Sequence, residues 1–229
     1  MSRYLRDHGS AWASERRVRR YYQELGLKGI APHFRTTRPS RHPYGKYPYL
    51  LRGRFVRFPN EVWATDITYV KTPWGMMYYT AIIDWRSRKL LSWRISDRMD
   101  ASFFLDALHE AVMLYGAPAI LNTDQGSQYQ GKSWKDALDS YGIIPSMDGR
   151  GRWADNVISE RLWRTLKYEW LFVREYASPE ELEESLVEFQ RQYNSERPHQ
   201  GLDYETPDAV YERGCFPVQG GDINGGVVA

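Results

Sequence analysis

The sequence has very little cysteine and no long apolar run. A single cysteine, Cys215, excludes an intramolecular disulfide and a cysteine-rich metal cluster, and it favours a reducing compartment. No stretch approaches the 18 or so apolar residues of a membrane helix, and the first residues lack the apolar core of a signal peptide. We therefore expect a cytoplasmic protein without a membrane partner, whose 229 residues suffice for one core of roughly 130–160 residues.

Acidic residues are scarce in the first quarter of the chain. Residues 1–60 hold 14 Lys and Arg against 3 Asp and Glu, whereas the remainder holds 17 against 26. Aromatic residues alternate with these basic residues, which suits phosphate contacts combined with base stacking. Residues 14–25 have helical spacing between Ser14 and Gly26, and residues 31–60 read as an extended basic linker. The pattern predicts a DNA-binding arm with contacts from Arg16, Arg17, Arg19 and Arg20; a merely solvated linker fits the charge equally well.

Alternating strand and helix patterns begin near Glu61. Residues 62–70, 76–84 and 88–95 predict three strands joined by tight turns, and a helix follows between Asp100 and Gly116. The pattern continues with a short strand ending at Asp124, a helix over 132–141, a strand in GIIPSM, and two further helices. This order predicts an α/β protein with a ribonuclease H-like core, a mixed five-stranded sheet flanked by helices, preceded by the basic, partly helical arm.

The longest predicted helix carries one acidic residue in a basic and polar face. Residues 152–170 contain no Gly or Pro, so about five helical turns are possible. The polar face consists of Trp153, Asn156, Glu160, Arg164 and Lys167, and the opposite stripe consists of Ile158, Leu162 and Leu166. Considered without the rest of the chain, the pattern is explained by an exposed helix with a Glu160–Arg164 ion pair. Asn156, Arg164 and Lys167 are otherwise candidates for phosphate contacts.

Three carboxylates occur where a ligand site would need them. Alternation places Asp66 in mid-strand, Asp124 follows a buried strand, and Glu160 would approach from the long helix. Crowded carboxylates repel unless cations lie between them, and oxygen ligands suit two Mg²⁺ or Mn²⁺ ions about 3.5–4 Å apart. Each acid also has a structural explanation, as a strand acid, a turn cap or a surface residue. Asp84 fits a structural turn better than a ligand role, and His199 is read as a loop histidine.

Several segments carry a resemblance to a known family. They read YPYLLRG, NEVWATDITYV, AIIDWRSRKLLSW, NTDQGSQY, SMDGRGRWADNVISERLWRTLKYE and YNSERPHQGLDYETPDAVY, within about residues 47 to 211. In these segments, with 35 residues between Asp124 and Glu160, the chain resembles the retroviral-integrase-like DDE transposases, and most closely the second-frame (OrfB) transposases of insertion-sequence family three. Lys167, seven positions after the glutamate, also fits the family pattern.

The resemblance implies a bacterial, nucleoid-associated enzyme that cuts transposon ends and joins the 3′ ends to target DNA. Asp66, Asp124 and Glu160 would be both catalytic residues and metal ligands. The implied partners are element ends and target DNA, further copies of the chain and an upstream-frame helix-turn-helix protein. Two other readings stay open: another ribonuclease H-like nuclease, and a decayed DNA-binding remnant. We expect an arm over residues 1–57, with the remnant of a helix-turn-helix-like segment, a catalytic core over 58–212, and a disordered tail over 213–229.

Overall fold

The computed structural model describes residues 1–27, 47–148 and 157–215. Residues 31–46 of the predicted linker and residues 216–229 of the predicted tail therefore lie outside the described residues. In the described ranges, no helix is long and apolar enough to cross a membrane.

Five strands form one mixed sheet, as predicted. They are β1 (Val62–Thr72), β2 (Gly75–Asp84), β3 (Leu90–Ser96), β4 (Ile120–Thr123) and β5 (Ile144–Met147), in the spatial order β3-β2-β1-β4-β5. The first three strands pair antiparallel, whereas β4 pairs parallel with both β1 and β5. The predicted start of the third strand at Arg88 is wrong, because Arg88 has φ 64° and belongs to the turn that precedes β3.

Seven α-helices are described in these ranges. They are α1 (Ser2–Asp7), α2 (Glu15–Glu24), α3 (Ala101–Tyr115), α4 (Lys132–Tyr141), α5 (Val157–Thr165), α6 (Pro179–Ser195) and α7 (Pro207–Cys215). The predicted caps are present: the side chain of Ser14 accepts from Arg17 N, and that of Asp100 accepts from Phe103 N. The sequence reading missed α1 and α7, and α7 makes the predicted tail helical as far as Cys215.

The long helix differs from the prediction. Regular α5 covers Val157–Thr165 and continues as a π-helical turn over Leu166–Trp170 and a short 3₁₀ turn over Leu171–Val173. Residues 152–156, which include Trp153 and Asn156, lie outside the described residues. The predicted apolar stripe is confirmed, because Ile158, Leu162 and Leu166 are buried.

The core lies on both faces of the sheet. One layer packs α5 and α6 against the face that carries Ala64 and Val70 of β1. The other packs α3 and α4 against the face that carries Trp63 and Ile67. Since side chains alternate along a strand, Asp66 belongs to the face covered by α5.

Residues 47–57 are attached to the edge of this core. Leu51 and Val56 are buried with Val62 and Ile120, and Leu50 N donates to Ser146 Oγ at 3.1 Å. This segment has no regular secondary structure, in keeping with the predicted extended linker, but its apolar side chains are packed.

Candidate active site

The sheet register places two of the three predicted acids side by side. In the parallel pair of β1 and β4, Val62 is opposite Ile120 and Ala64 is opposite Asn122. The same offset places Asp66 opposite Asp124, two residues beyond the last paired position. Adjacent strands lie about 4.8 Å apart, so the two residues leave the backbone as neighbours. The predicted adjacency of their strands is confirmed.

Asp66 is held in mid-strand by two donors. Its Oδ1 accepts from Ile67 N at 2.8 Å, and its Oδ2 accepts from Trp163 Nε1 at 2.9 Å. Trp163 lies on α5, and its ring packs edge-on against the buried Tyr79. The indole therefore fixes both the orientation of the Asp66 carboxylate and the position of α5 over β1.

Asp124 follows β4 in a turn. Its Oδ1 accepts from Gly126 N at 2.8 Å, which is the turn-capping contact weighed in the sequence reading. Burial raises the pKa of its carboxyl group, and the Gly126 hydrogen bond opposes that shift only partly. Tyr129 lies near both aspartates: burial raises the pKa of its phenol well above the usual range, and the charges of Asp66 and Asp124 raise it further. The two aspartates therefore share one partly buried, negatively charged environment.

Glu160 lies on the same helix as Trp163, one turn earlier. Its side chain is exposed, yet desolvation by neighbouring atoms raises the pKa of its carboxyl group. The Glu160–Arg164 ion pair of the alternative reading does not form in the described residues. In those residues, no set of three or more His, Cys, Asp or Glu side chains converges closely enough to hold a metal ion. The sheet register makes the two aspartates neighbours, but the three acids together do not form such a group among the described residues.

The other predicted site residues that the structure describes lie either in or just after α5, or on α2. Lys167 is half-buried beyond α5; burial lowers the pKa of its ammonium group, and the charge of Asp66 opposes that shift. Arg164 is exposed on α5. The four arginines predicted to contact DNA, all exposed on α2, are Arg16, Arg17, Arg19 and Arg20. Asn156 lies outside the described residues.

The structure agrees with a structural role for Asp84. The residue is fully buried, and its carboxylate accepts from Asn60 N at 2.8 Å and from Ser87 N and Ser87 Oγ, both at 2.7 Å. Burial raises the pKa of this carboxyl group against the effect of those donors. Asp84 closes the turn between β2 and β3.

Sequence reasoning missed two residues next to the aspartates. Trp163 contacts Asp66 directly, and the charges of both aspartates act on Tyr129. The position of Trp163, three residues after Glu160, was the available signal, since residues three apart share a helix face. Tyr129 lies in a short 3₁₀ helix, Ser127–Gln130, and no sequence period marks it.

Comparison with known families gives two matches along the core. Two protein-family models, both described as integrase core domain, match this chain, one over residues 57–152 and the other over residues 141–207. The chain is 34% identical over 152 residues to the transposase for insertion sequence element IS904 of Lactococcus lactis, covering 65% of this chain and 60% of that protein. It is 33% identical over 144 residues to the transposase InsF for insertion sequence IS3A of Escherichia coli, covering 62% of this chain and 50% of that protein. The chain thus spans between half and three fifths of these curated relatives.

Solved structures share the fold at lower identity. A simian T-cell lymphotropic virus intasome, solved in complex with PP2A regulatory subunit B56 gamma, contains a chain that matches with a TM-score of 0.64 at 18% identity, over 98% of this chain and 79% of that one. The HTLV-2 integrase catalytic core domain in complex with magnesium matches with a TM-score of 0.55 at 19% identity, over 67% and 97%.

Together, the sheet order, the paired aspartates and these matches define a ribonuclease H-like integrase core. Within that class the chain is similar to transposases of insertion-sequence elements, with which it shares the integrase core domain.

Proposed function

We propose that this chain cuts the DNA ends of an insertion sequence and joins the 3′ ends to target DNA, with Asp66, Asp124 and Glu160 as catalytic residues and ligands of two divalent cations. The observation that carries the proposal is the register of β1 and β4, which sets Asp66 beside Asp124 under the helix that bears Glu160. Trp163 supports it by joining that helix to Asp66.

The residues present suit a hard divalent cation. All three side chains offer carboxylate oxygens, the donors that Mg²⁺ and Mn²⁺ prefer. Asp124 is half-buried with a raised carboxyl pKa and forms no ion pair within the described part of the chain. A buried carboxylate without a counter-charge is costly, and a bound cation would offset that cost.

Glu160 has to approach the aspartates for the three acids to act together. Ionised carboxylates repel one another, so this approach is unfavourable until a cation compensates the charge. Trp163 keeps α5 attached to Asp66 while Glu160, one turn away, changes its side-chain conformation or moves with the first turn of the helix. We infer that the site closes in this way.

Asp66, Asp124 and Glu160 would hold two such cations, which would supply activation of a water or a 3′-hydroxyl and stabilisation of the departing oxygen at a phosphodiester. Residues of this chain orient the carboxylate groups of the two aspartates. Trp163 and Ile67 N hold the Asp66 carboxylate, and Gly126 N holds that of Asp124. Arg164, Lys167 and Asn156 would hold DNA phosphates beside the reacting bond, and the α2 arginines would hold the duplex farther away.

The partners follow from this activity. Element ends and target DNA are the substrates that we propose, and copies of the chain would associate on DNA because two ends are joined. An upstream-frame helix-turn-helix protein would supply recognition of the ends, and the nucleoid would be the location of the complex.

The proposal is tested by incubating the purified chain with labelled duplexes that carry the ends of the flanking element, in Mn²⁺. We expect nicks at the 3′ ends and joined products, both lost in Glu160→Gln. Glu183→Gln, which removes the same charge from an exposed position on α6, should retain both. Nicking without joining would point to another ribonuclease H-like nuclease. DNA binding without nicking would point to a decayed remnant.

A further inference from the structure

Asp148 follows β5 directly and lies next to Asp124 in the sheet register. In the parallel pair of β4 and β5, Thr123 is opposite Met147. The next position along both strands therefore brings Asp148 beside Asp124. Asp148 is nonetheless buried, with 8% of its surface exposed. A buried carboxylate is costly unless its oxygens are hydrogen-bonded, so the partners of Asp148 indicate what it does.

The backbone of Asp148 holds both residues that flank Asp124. Asp148 N donates to the carbonyl oxygen of Thr123 at 3.0 Å, and Gln125 Nε2 donates to the carbonyl oxygen of Asp148 at 2.8 Å. Asp124 therefore lies between two residues that are bonded to the same neighbour. Gln125 is also held from the other side, because its carbonyl oxygen accepts from Gln130 Nε2 at 3.1 Å.

The side chain of Asp148 is bonded to β4 as well. Asn122 Nδ2 donates to Asp148 Oδ1 at 2.7 Å, and both residues are buried. The oxygen of the Asn122 amide accepts from Ser146 Oγ at 2.9 Å. Hydrogen bonds to an ionised acceptor are about twice as strong as those between neutral groups. The bond from Asn122 therefore stiffens the end of β5 against β4.

Asp124 depends on these contacts because its own carboxylate has little support. Within the described residues its side chain accepts from Gly126 N alone, at 2.8 Å, whereas two donors hold the carboxylate of Asp66. Gly126 follows Gln125 directly, so the bond from Gln125 to Asp148 also determines where this donor lies. The orientation of the Asp124 carboxylate thus follows from the position of Asp148.

We propose that Asp148 is a positioning residue for DNA cutting, with Asn122 as its partner in this role. Its bonds to the residues on either side keep the turn of Asp124 in place, so that this carboxylate is aligned before any cation binds. The inference rests on the proposed function, because that function makes Asp124 a ligand. A ligand that is already oriented loses less conformational freedom on binding. Residues that orient metal ligands through hydrogen bonds contribute about 10–100-fold to metal affinity.

A purely structural role for Asp148 is the alternative, since any buried carboxylate needs donors. That role predicts that loss of the side chain lowers the Tm of the protein and leaves the folded turn around Asp124 unchanged. A positioning role predicts a change in this turn at temperatures far below the Tm. The two roles are separated by measuring the turn itself, through the Gly126 amide that donates to Asp124.

The first test measures amide hydrogen exchange at Gly126 by NMR, in the metal-free full chain. We expect Asp148→Ala to speed this exchange by about tenfold, because the turn opens more often when the bond from Asn122 is lost. Asp148→Asn keeps an acceptor oxygen and should speed it by about threefold. Asp84→Asn, which removes the charge of another buried and hydrogen-bonded carboxylate, is the matched control and should exchange as the wild type does. Unchanged exchange in both Asp148 variants, or equal acceleration in Asp84→Asn, overturns the proposal.

The second test connects the turn to metal binding. Mn²⁺ binding is measured without DNA, from the electron paramagnetic resonance signal of the free ion. Asp148→Ala should weaken the affinity for Mn²⁺ by about tenfold, whereas Asp84→Asn should bind it as the wild type does. Faster Gly126 exchange with unchanged Mn²⁺ affinity overturns the positioning role. A wild-type chain that binds no Mn²⁺ refutes the proposed metal site alone, since the exchange result does not depend on metal.

Discussion

Replacing Asp84 by asparagine should lower the free energy of unfolding and leave DNA cutting unchanged. The carboxylate is fully buried and accepts three hydrogen bonds, from Asn60 N, Ser87 N and Ser87 Oγ. Asparagine has the same shape, but its amide nitrogen carries N–H donors in the place of one carboxylate oxygen, which is an acceptor. One buried N–H then loses its acceptor, at about 1–3 kcal/mol, and the remaining bonds lose the strength that a charged acceptor gives.

The loss should spread beyond the turn because Asp84 supports Asn60. The Asn60 side chain accepts from Trp63 Nε1 at 2.9 Å and donates to the carbonyl of Tyr115 at 3.1 Å. Relief of the burial cost that raises the Asp84 pKa offsets part of the loss, so we expect a net cost of about 2 kcal/mol. For a chain of this size, that corresponds to a fall in Tm of about 4–8 °C.

Asp124→Asn should have the opposite effects on thermal stability and on DNA cutting. Among the described residues, the Asp124 side chain accepts from Gly126 N alone, and burial raises the pKa of its carboxyl group. Removing the charge should leave the metal-free Tm unchanged or slightly higher while abolishing cutting. The assay is a thermal melt at pH 7 in chelator, followed by the Mn²⁺ nicking reaction. The reasoning is refuted if Asp84→Asn melts with the wild type, or if Asp124→Asn melts several degrees lower and still nicks DNA.

Three further predictions concern separate parts of the molecule. Trp163→Phe keeps the ring and removes the donor to Asp66, so we expect nicking to fall about tenfold or more, with DNA binding unchanged in an anisotropy assay. The lowered pKa of His199, about 4, means that stability is complete above the unfolded pKa of 6.5 and falls as pH drops towards 4. His199→Gln should remove about 1–2 kcal/mol of that dependence, after allowance for solvent screening, in urea titrations across this range. Changing Arg16, Arg17, Arg19 and Arg20 together to Gln should lower the DNA salt slope by up to about 3.6, and an unchanged slope would mean that the core holds the DNA.

The sequence was most informative where a local rule fixes the structure. Alternation in β1 predicted that Asp66 shares a face with Ala64, and the capping residues Ser14 and Asp100 marked two helix starts. The strand-end position of Asp124 also followed from a local pattern. These features depend on residues within one turn or one strand of each other, so a single sequence contains what is needed to infer them.

Contacts between distant residues could not be read in the same way. The bond from Trp163 to Asp66 joins residues 97 positions apart. The spacing of Trp163 from Glu160 indicates a shared helix face, but it does not identify Asp66 as the partner. The positive charges of Arg88 and Arg161 also act on His199 from distant parts of the sequence. The π-helical turn after Thr165 depends on how Leu166 and Trp170 pack between β1 and α6, whereas the apolar pattern alone continues as an ordinary helix. Helix α7 did carry a local signal, the Thr206-Pro207-Asp208 start, which the reading overlooked.

The central claim, that Asp66, Asp124 and Glu160 form one metal site, is tested most directly by anomalous diffraction from crystals of the chain soaked in Mn²⁺. We predict manganese in contact with carboxylate oxygens of Asp66 and Asp124, at about 2.2 Å, and Glu160 brought into the same coordination sphere. Manganese bound elsewhere, or bound at the aspartates with Glu160 still pointing to solvent in the presence of DNA ends, would contradict the claim.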